Sequence, residues 1–173
     1  TAPRQRDHRE RIPKPVTPRP PTETIETWAH PNNFSYSPLH PQGVIVHSTR
    51  GAQILGIEFA ATLNWFQNPN AQVSAHVVIA YDGRLARCVE ERHIAYHCRA
   101  GGMNYTHLGV ELEQPRRGDE ISSMQYEVLR WQLEQWRDVY GIPLDREHVQ
   151  EHWEIDPLKS DVRAPFDLDL VLG

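Results

Sequence analysis

The segment from Ser122 to Pro143 constrains this chain more than any other. Ser122 can accept a hydrogen bond from the backbone three residues on, and Gln125 can return one. Ile121 and Tyr126 can meet across the first turn, so a helix start is specified by polar and apolar signals together. Tyr126, Leu129, Leu133, Trp136 and Tyr140 recur at steps of three and four, the spacing that lines up one helical face. Gly141 and then Pro143 end the run. A helix over 123–140 with so long an apolar stripe has to be laid against another layer of structure.

Short β-branched segments supply that layer. Val44, Ile45 and Val46 follow Gly43 and predict a buried strand that ends by delivering His47. Residues 76–80 and 85–89 read as two strands joined around Asp82-Gly83, a dipeptide suited to a tight hairpin. A further strand is expected over 108–112, with Leu108, Val110 and Leu112 on one face and Glu111 on the other. Residues 54–66 place Ile54, Ile57, Phe59, Leu63 and Phe66 near helical spacing, interrupted by Gly56. The expected fold class is α/β: a central mixed β-sheet from 43–48, 76–80, 85–89 and 108–113, flanked by α-helices.

Composition narrows the function classes. With 173 residues and 39% hydrophobic content, one compact domain is expected. A net charge of -5 and a pI near 6.0 argue against a general nucleic-acid binder. No apolar run approaches the roughly 20 residues of a membrane span, and the N-terminus lacks the apolar core of a signal peptide. The first residue is Thr, so a leader or larger precursor could have been removed, and localisation stays open. Residues 1–24 hold six prolines and six basic residues against three acidic ones. They read as a basic, proline-rich tail on an acidic domain spanning 25–173. Such an arm is either a solvated linker or a means of attraction to anionic envelope polymers. Cys88 and Cys98 are too few for a disulfide scaffold and form no CxxC pair; a bridge and two buried free thiols both fit the sequence.

Ten histidines invite a metal hypothesis, although most isolated histidines are surface or packed residues. Position singles out His47, at a strand end, and His152, with Lys159 and Asp161 seven and nine residues further on. Two histidines and one carboxylate, with a fourth position left open, make a competent catalytic zinc set. His148, four residues before His152, offers a second pair if that stretch is helical. Spacing alone leaves the choice open.

Read in order, five segments resemble the type 2 N-acetylmuramoyl-L-alanine amidases, a family that includes many phage endolysins and shares its fold with the peptidoglycan recognition proteins. GVIVHSTRG at 43–51 resembles the strand with the first zinc histidine, and AQVSAHVVIAYDGRLARCV at 71–89 the central hairpin. HIAYHCRAG at 93–101 is similar to an aromatic-His-Ala-Gly stretch, and NYTHLGVELEQP at 104–115 to an Asn-to-Glu strand. EHWEIDPLKSDVRAPFD at 151–167 resembles the segment with the second zinc histidine, a lysine and the third ligand.

The resemblance implies zinc held by His47, His152 and Asp161, with Glu111 as the catalytic carboxylate and Lys159 stabilising the oxyanion. Tyr96, His97 and Asn104 would line a groove for the glycan strand and stem peptide of peptidoglycan. His148 falls on a non-ligand position, and Glu113, on the same strand face as Glu111, is the nearest competitor for its role. The implied activity is hydrolysis of the amide bond between N-acetylmuramic acid and L-alanine. Alternatives are a peptidoglycan-binding module without turnover and an amidase of soluble anhydro-muropeptides. Three departures stand out: Ala75 where some members carry a catalytic tyrosine, Glu151 where glycine is common, and Val162-Arg163-Ala164 where Pro-Gly usually follows the third ligand.

Overall fold

The computed structural model describes residues 14–173. In chain order its elements are β1 (Thr24–Glu26), β2 (Phe34–Pro38), β3 (Gly43–Ser48), α1 (Glu58–Gln67), β4 (Val77–Ile79), β5 (Leu85–Arg87), β6 (His93–Ala95), β7 (His107–Leu112), α2 (Ser123–Tyr140), β8 (Val149–Glu151), α3 (His152–Ile155) and α4 (Asp169–Leu172). Six strands form one sheet in the order β1-β5-β4-β7-β3-β8, and β2 pairs with β6 separately. Strands β4 and β5 are antiparallel, while β1/β5, β4/β7, β7/β3 and β3/β8 are parallel. The sheet is therefore mixed, and its four inner strands are those expected from the sequence.

Alternation along the strands divides the core. Val44 and Val46 of β3, Val77 and Ile79 of β4, and Leu108, Val110 and Leu112 of β7 face α2, meeting Val128, Leu129, Leu133 and Trp136. Val78, Ala80 and Ala86 face the other way, against Phe59, Leu63 and Phe66 of α1. Because side chains alternate with a period of two, His47 and Glu111 belong to the α1 face. Helix α2 has both halves of its capping box: the Ser122 hydroxyl accepts from the Gln125 N–H at 3.1 Å, and the Gln125 carbonyl from the Ser122 N–H at 3.0 Å. Gly141, at φ 71°, closes the helix by donating to Arg137 O.

Helix α1 begins later than its apolar spacing suggests. Gly56 lies at φ 84°, and the buried Glu58 carboxylate accepts from the backbone of Gly51 and Gln53, so residues 51–57 form a loop anchored on the helix start. The edge strands β1 and β8 went unanticipated, since three residues carry too little periodicity to read. Strand β8 lies inside the stretch where His148 and His152 could have shared a helix. His148 instead precedes it, its ring bonded to Asp145 at 2.7 Å. Of the basic N-terminal segment, residues 1–13 lie outside the described residues. Val16, Arg19 and Thr22 donate backbone hydrogen bonds to Leu170, Glu127 and Gly83, leading the chain into β1.

Candidate active site

His47 and Glu111 are cross-strand neighbours on the central parallel pair β3 and β7. They open into a cleft of about 640 Å³, whose lining also includes His152, Lys159 and Asp161 and, on the α1 side, Trp65. Strand β8 pairs with β3 through Val46 and Glu151, so the chain leaves the sheet at His152 beside the end of β3. The loop that follows returns Asp161 to the same point: Trp153 N–H donates to Asp161 O at 2.9 Å, and Ser48 N–H reaches Asp161 Oδ2 at 3.3 Å.

Three donor atoms converge there. His47 Nδ1 and His152 Nδ1 are 3.0 Å apart, His152 Nδ1 and Asp161 Oδ2 3.2 Å, and His47 Nδ1 and Asp161 Oδ2 3.5 Å. Tetrahedral zinc with bonds near 2.0–2.1 Å needs donors about 3.3–3.4 Å apart, so the triangle fits such an ion. Among the described residues this is the one group of three that could hold a metal.

The electrostatics follow from this crowding. For His152, burial opposes charge, but the Asp161 carboxylate and the Cys98 thiol outweigh it and lift the pKa to about 9. Burial would raise Asp161, yet contact with the two imidazoles holds it well below the usual carboxylate range. His47 is lowered, chiefly by burial and also by the His152 charge. In the metal-free protein a proton on His152 thus answers the Asp161 charge, in the place where a cation would do so.

Glu111 carries the opposite perturbation. Burial, and then repulsion from Asp161, push its pKa up to about 8, and its Oε2 is buried without a hydrogen-bond partner. A carboxylate poised near neutral pH and facing a cleft is the state in which one group can both accept and return a proton. Glu113 is otherwise employed: its two oxygens accept from the N–H groups of Phe59 and Tyr81 at 3.1 and 2.7 Å. Lys159 is an exposed member of the cleft wall.

The residues expected along the groove divide. Tyr96 and His97 line the cleft, and Asn104 does not. Both nitrogens of His97 are engaged, Nδ1 with His47 Nε2 at 2.9 Å and Nε2 with His107 O at 3.0 Å. The Asn104 side-chain oxygen accepts from the N–H groups of His97 and Cys98, so it shapes the turn behind the wall. Cys88 and Cys98 are both free and buried.

Sequence reasoning missed Arg50. Its guanidinium donates to Ser160 Oγ, Ser160 O, Val162 O and Gln114 Oε1, bracketing Asp161 from both sides. Nothing in the local sequence marks a residue whose partners lie more than 60 positions away. Trp65 of α1 was missed as well, because an exposed aromatic on an amphipathic helix carries no signal until the helix is placed.

Residues 37–163 match the family described as N-acetylmuramoyl-L-alanine amidase. The chain belongs to that family. The matched span contains every residue of the donor triangle together with Glu111 and Lys159. N-acetylmuramoyl-L-alanine amidase A of Achromobacter lyticus is 37% identical over 90 residues, which make up 51% of this chain and 46% of the relative; the match thus spans about half that relative's length. Among solved structures, the catalytic domain of XlyA superposes with a TM-score of 0.66 at 18% identity, covering 79% of this chain and 88% of its own. A structure of AmpD gives 0.69 at 21% identity, covering 87% and 93%. These likenesses establish a shared fold.

The departures from the family pattern take definite positions. Ala75 is fully buried against the α1 side of the sheet. Glu151 caps α3 and accepts from Arg163 N–H at 2.7 Å, which ties the residue before His152 to the loop after Asp161. Val162 is fully buried in the α2-side core.

Proposed function

We propose that this amidase-family chain hydrolyses the amide bond between the lactyl group of N-acetylmuramic acid and L-alanine in peptidoglycan, with zinc as its metal. The observation that carries the reading is the His47–His152–Asp161 triangle opening on the same cleft as the unpartnered Glu111 oxygen. When bound there, zinc supplies a Lewis acid that polarises the scissile carbonyl and acidifies a water.

The chain's own residues supply the rest. Glu111 takes the proton of the attacking water and returns it to the leaving nitrogen, which a carboxyl with a pKa near neutrality does with little penalty in either direction. Lys159, on the open wall, holds the oxyanion as the carbonyl carbon becomes tetrahedral. Tyr96 and Trp65 give the cleft apolar surface against which the glycopeptide lies. The basic N-terminal arm adds attraction to anionic envelope polymers.

The test is release of new L-alanine amino termini. Incubation with purified sacculi, with and without chelator, is expected to expose them only in the metal-loaded sample. Cleavage of soluble anhydro-muropeptides but not of sacculi would move the substrate to wall fragments. Binding to sacculi without release from either substrate would leave a recognition module and defeat the enzyme reading.

A further inference from the structure

His97 is packed where it cannot be idle. Its ring lies flat on the backbone of β7: a Cβ added at Gly109 would stand 2.5 Å from His97 Cγ and 2.8 Å from both Cδ2 and Nδ1, closer than any neighbour tolerates. Only glycine at 109 leaves room for the imidazole. Gly109 is itself pinned, its N–H donating to His76 Nδ1 at 3.0 Å while His76 Nε2 donates to His93 O at 2.9 Å.

The hydrogen-bond polarity then follows by elimination. A backbone carbonyl can only accept, so the His97 nitrogen 3.0 Å from His107 O carries a proton. The two partners of the His97 ring are a carbonyl and an imidazole, neither of them an anion that would answer a ring charge, so its other nitrogen, Nδ1, has a bare lone pair. The atom 2.9 Å from that lone pair is His47 Nε2, which must donate. A neutral His47 protonated at Nε2 has a bare Nδ1, the atom that faces His152 Nδ1 and Asp161 Oδ2.

We propose that His97 is a positioning residue: anchored by the His107 carbonyl, it fixes the tautomer of His47 and so directs a bare Nδ1 at the His152–Asp161 donors. Histidines that ligate metals commonly give their second N–H to a carboxylate, a carbonyl or water. Here a second imidazole is interposed, and it transmits the polarity of a carbonyl one ring further away. The proposal rests on the reading that His47 holds zinc, and it gives His97, which lines the cleft, a role toward His47 rather than toward the substrate.

The experiment reads both tautomer and affinity in the full chain. In metal-free protein labelled with nitrogen-15 at histidine, His47 is expected as the Nε2–H form; an Nδ1–H form in the wild type would overturn the relay by itself. Zinc affinity by chelator competition is expected to fall about 10–100-fold in His97→Phe, with loss of the single tautomer. His97→Gln, whose amide can donate to His107 O and accept from His47, is expected to stay near wild type. Gly109→Ala, which displaces the ring without removing it, should lose affinity as His97→Phe does, and it decides the matter if His97→Phe does not fold. Wild-type affinity in both disruptive variants, or equal losses in His97→Phe and His97→Gln, would overturn the proposal. A wild type that binds no zinc is a separate failure, of the metal reading, and leaves the tautomer measurement standing.

Discussion

His47 and Glu111 stand side by side on neighbouring central strands, where a parallel ladder and two packed faces fix their backbones. His152, Lys159 and Asp161 stand instead at the end of a three-residue edge strand and on the loop that follows it. The first half of the site is held by the sheet. The second is held by side chains that reach across the fold: Arg50 to Ser160 and Val162, Glu151 to Arg163, and the buried Val162 itself. The contrast teaches that one cleft can combine a rigid wall with a clamped one, and that the two should fail differently.

The largest effect tests the sheet half. Glu111→Gln is expected to lower hydrolysis by about 10²–10⁴-fold, the usual share of a general acid–base group, while zinc affinity by chelator competition stays at wild type. His152→Ala should lose both. A fully active, zinc-loaded Glu111→Gln would break the assignment of the proton shuttle to β7.

Arg50→Ala comes next and tests the clamp. Removing the guanidinium frees both neighbours of Asp161, and zinc affinity is expected to drop about 10–100-fold, as for other groups that orient a metal ligand. Arg50→Lys should not restore it, because an ammonium cannot span the fork of partners that the guanidinium serves. Unchanged affinity in Arg50→Ala would mean that the loop holds its shape by backbone alone.

A smaller effect comes from pH. The His152 pKa is raised above its ordinary 6.5 to about 9, so zinc must displace one proton, and its affinity should fall about tenfold per unit as pH drops below that value. The sign for stability runs with the same proton. The contribution of protonated His152 to the metal-free fold is fully present below 6.5 and is lost as pH rises through about 9, which thermal melts of metal-free protein at stepped pH would show. A flat zinc affinity between pH 6 and 9 would contradict the pairing with Asp161.

The least effect is remote. Ser122→Ala removes the cap of α2 and should cost about 1 kcal/mol of stability, read from denaturant unfolding, with zinc affinity unchanged. A coupled loss of affinity would show that α2 supports the cleft more closely than its packing on the opposite face implies.

The same contrast explains what the sequence reveals. Helix α2 and strands β3, β4, β5 and β7 are readable because their signals are local: a capping box, a glycine stop, an alternation of Leu108, Val110 and Leu112. That His47 and Glu111 share a sheet face follows from alternation once those strands are parallel neighbours, but that they stand directly opposite each other is set by the β3–β7 register, which no local signal gives. The loop half offers His152, Lys159 and Asp161 as candidates by their spacing, the family resemblance picks His152 and Asp161 out as donors, and neither shows what holds them. Arg50, Glu58 and Asn104 act on residues that folding brings near, and no periodicity encodes such meetings. His97 is the instructive case, since its motif marks it as important while only the positions of His47 and His107 show which way its nitrogens point.

The most direct test of a zinc site shared by the two halves is anomalous diffraction at the zinc edge from crystals of zinc-loaded protein. The account predicts one strong peak about 2.0–2.2 Å from His47 Nδ1, His152 Nδ1 and Asp161 Oδ2, on the cleft side where Glu111 faces it. A peak elsewhere, or one bound through His47 Nε2, would contradict it.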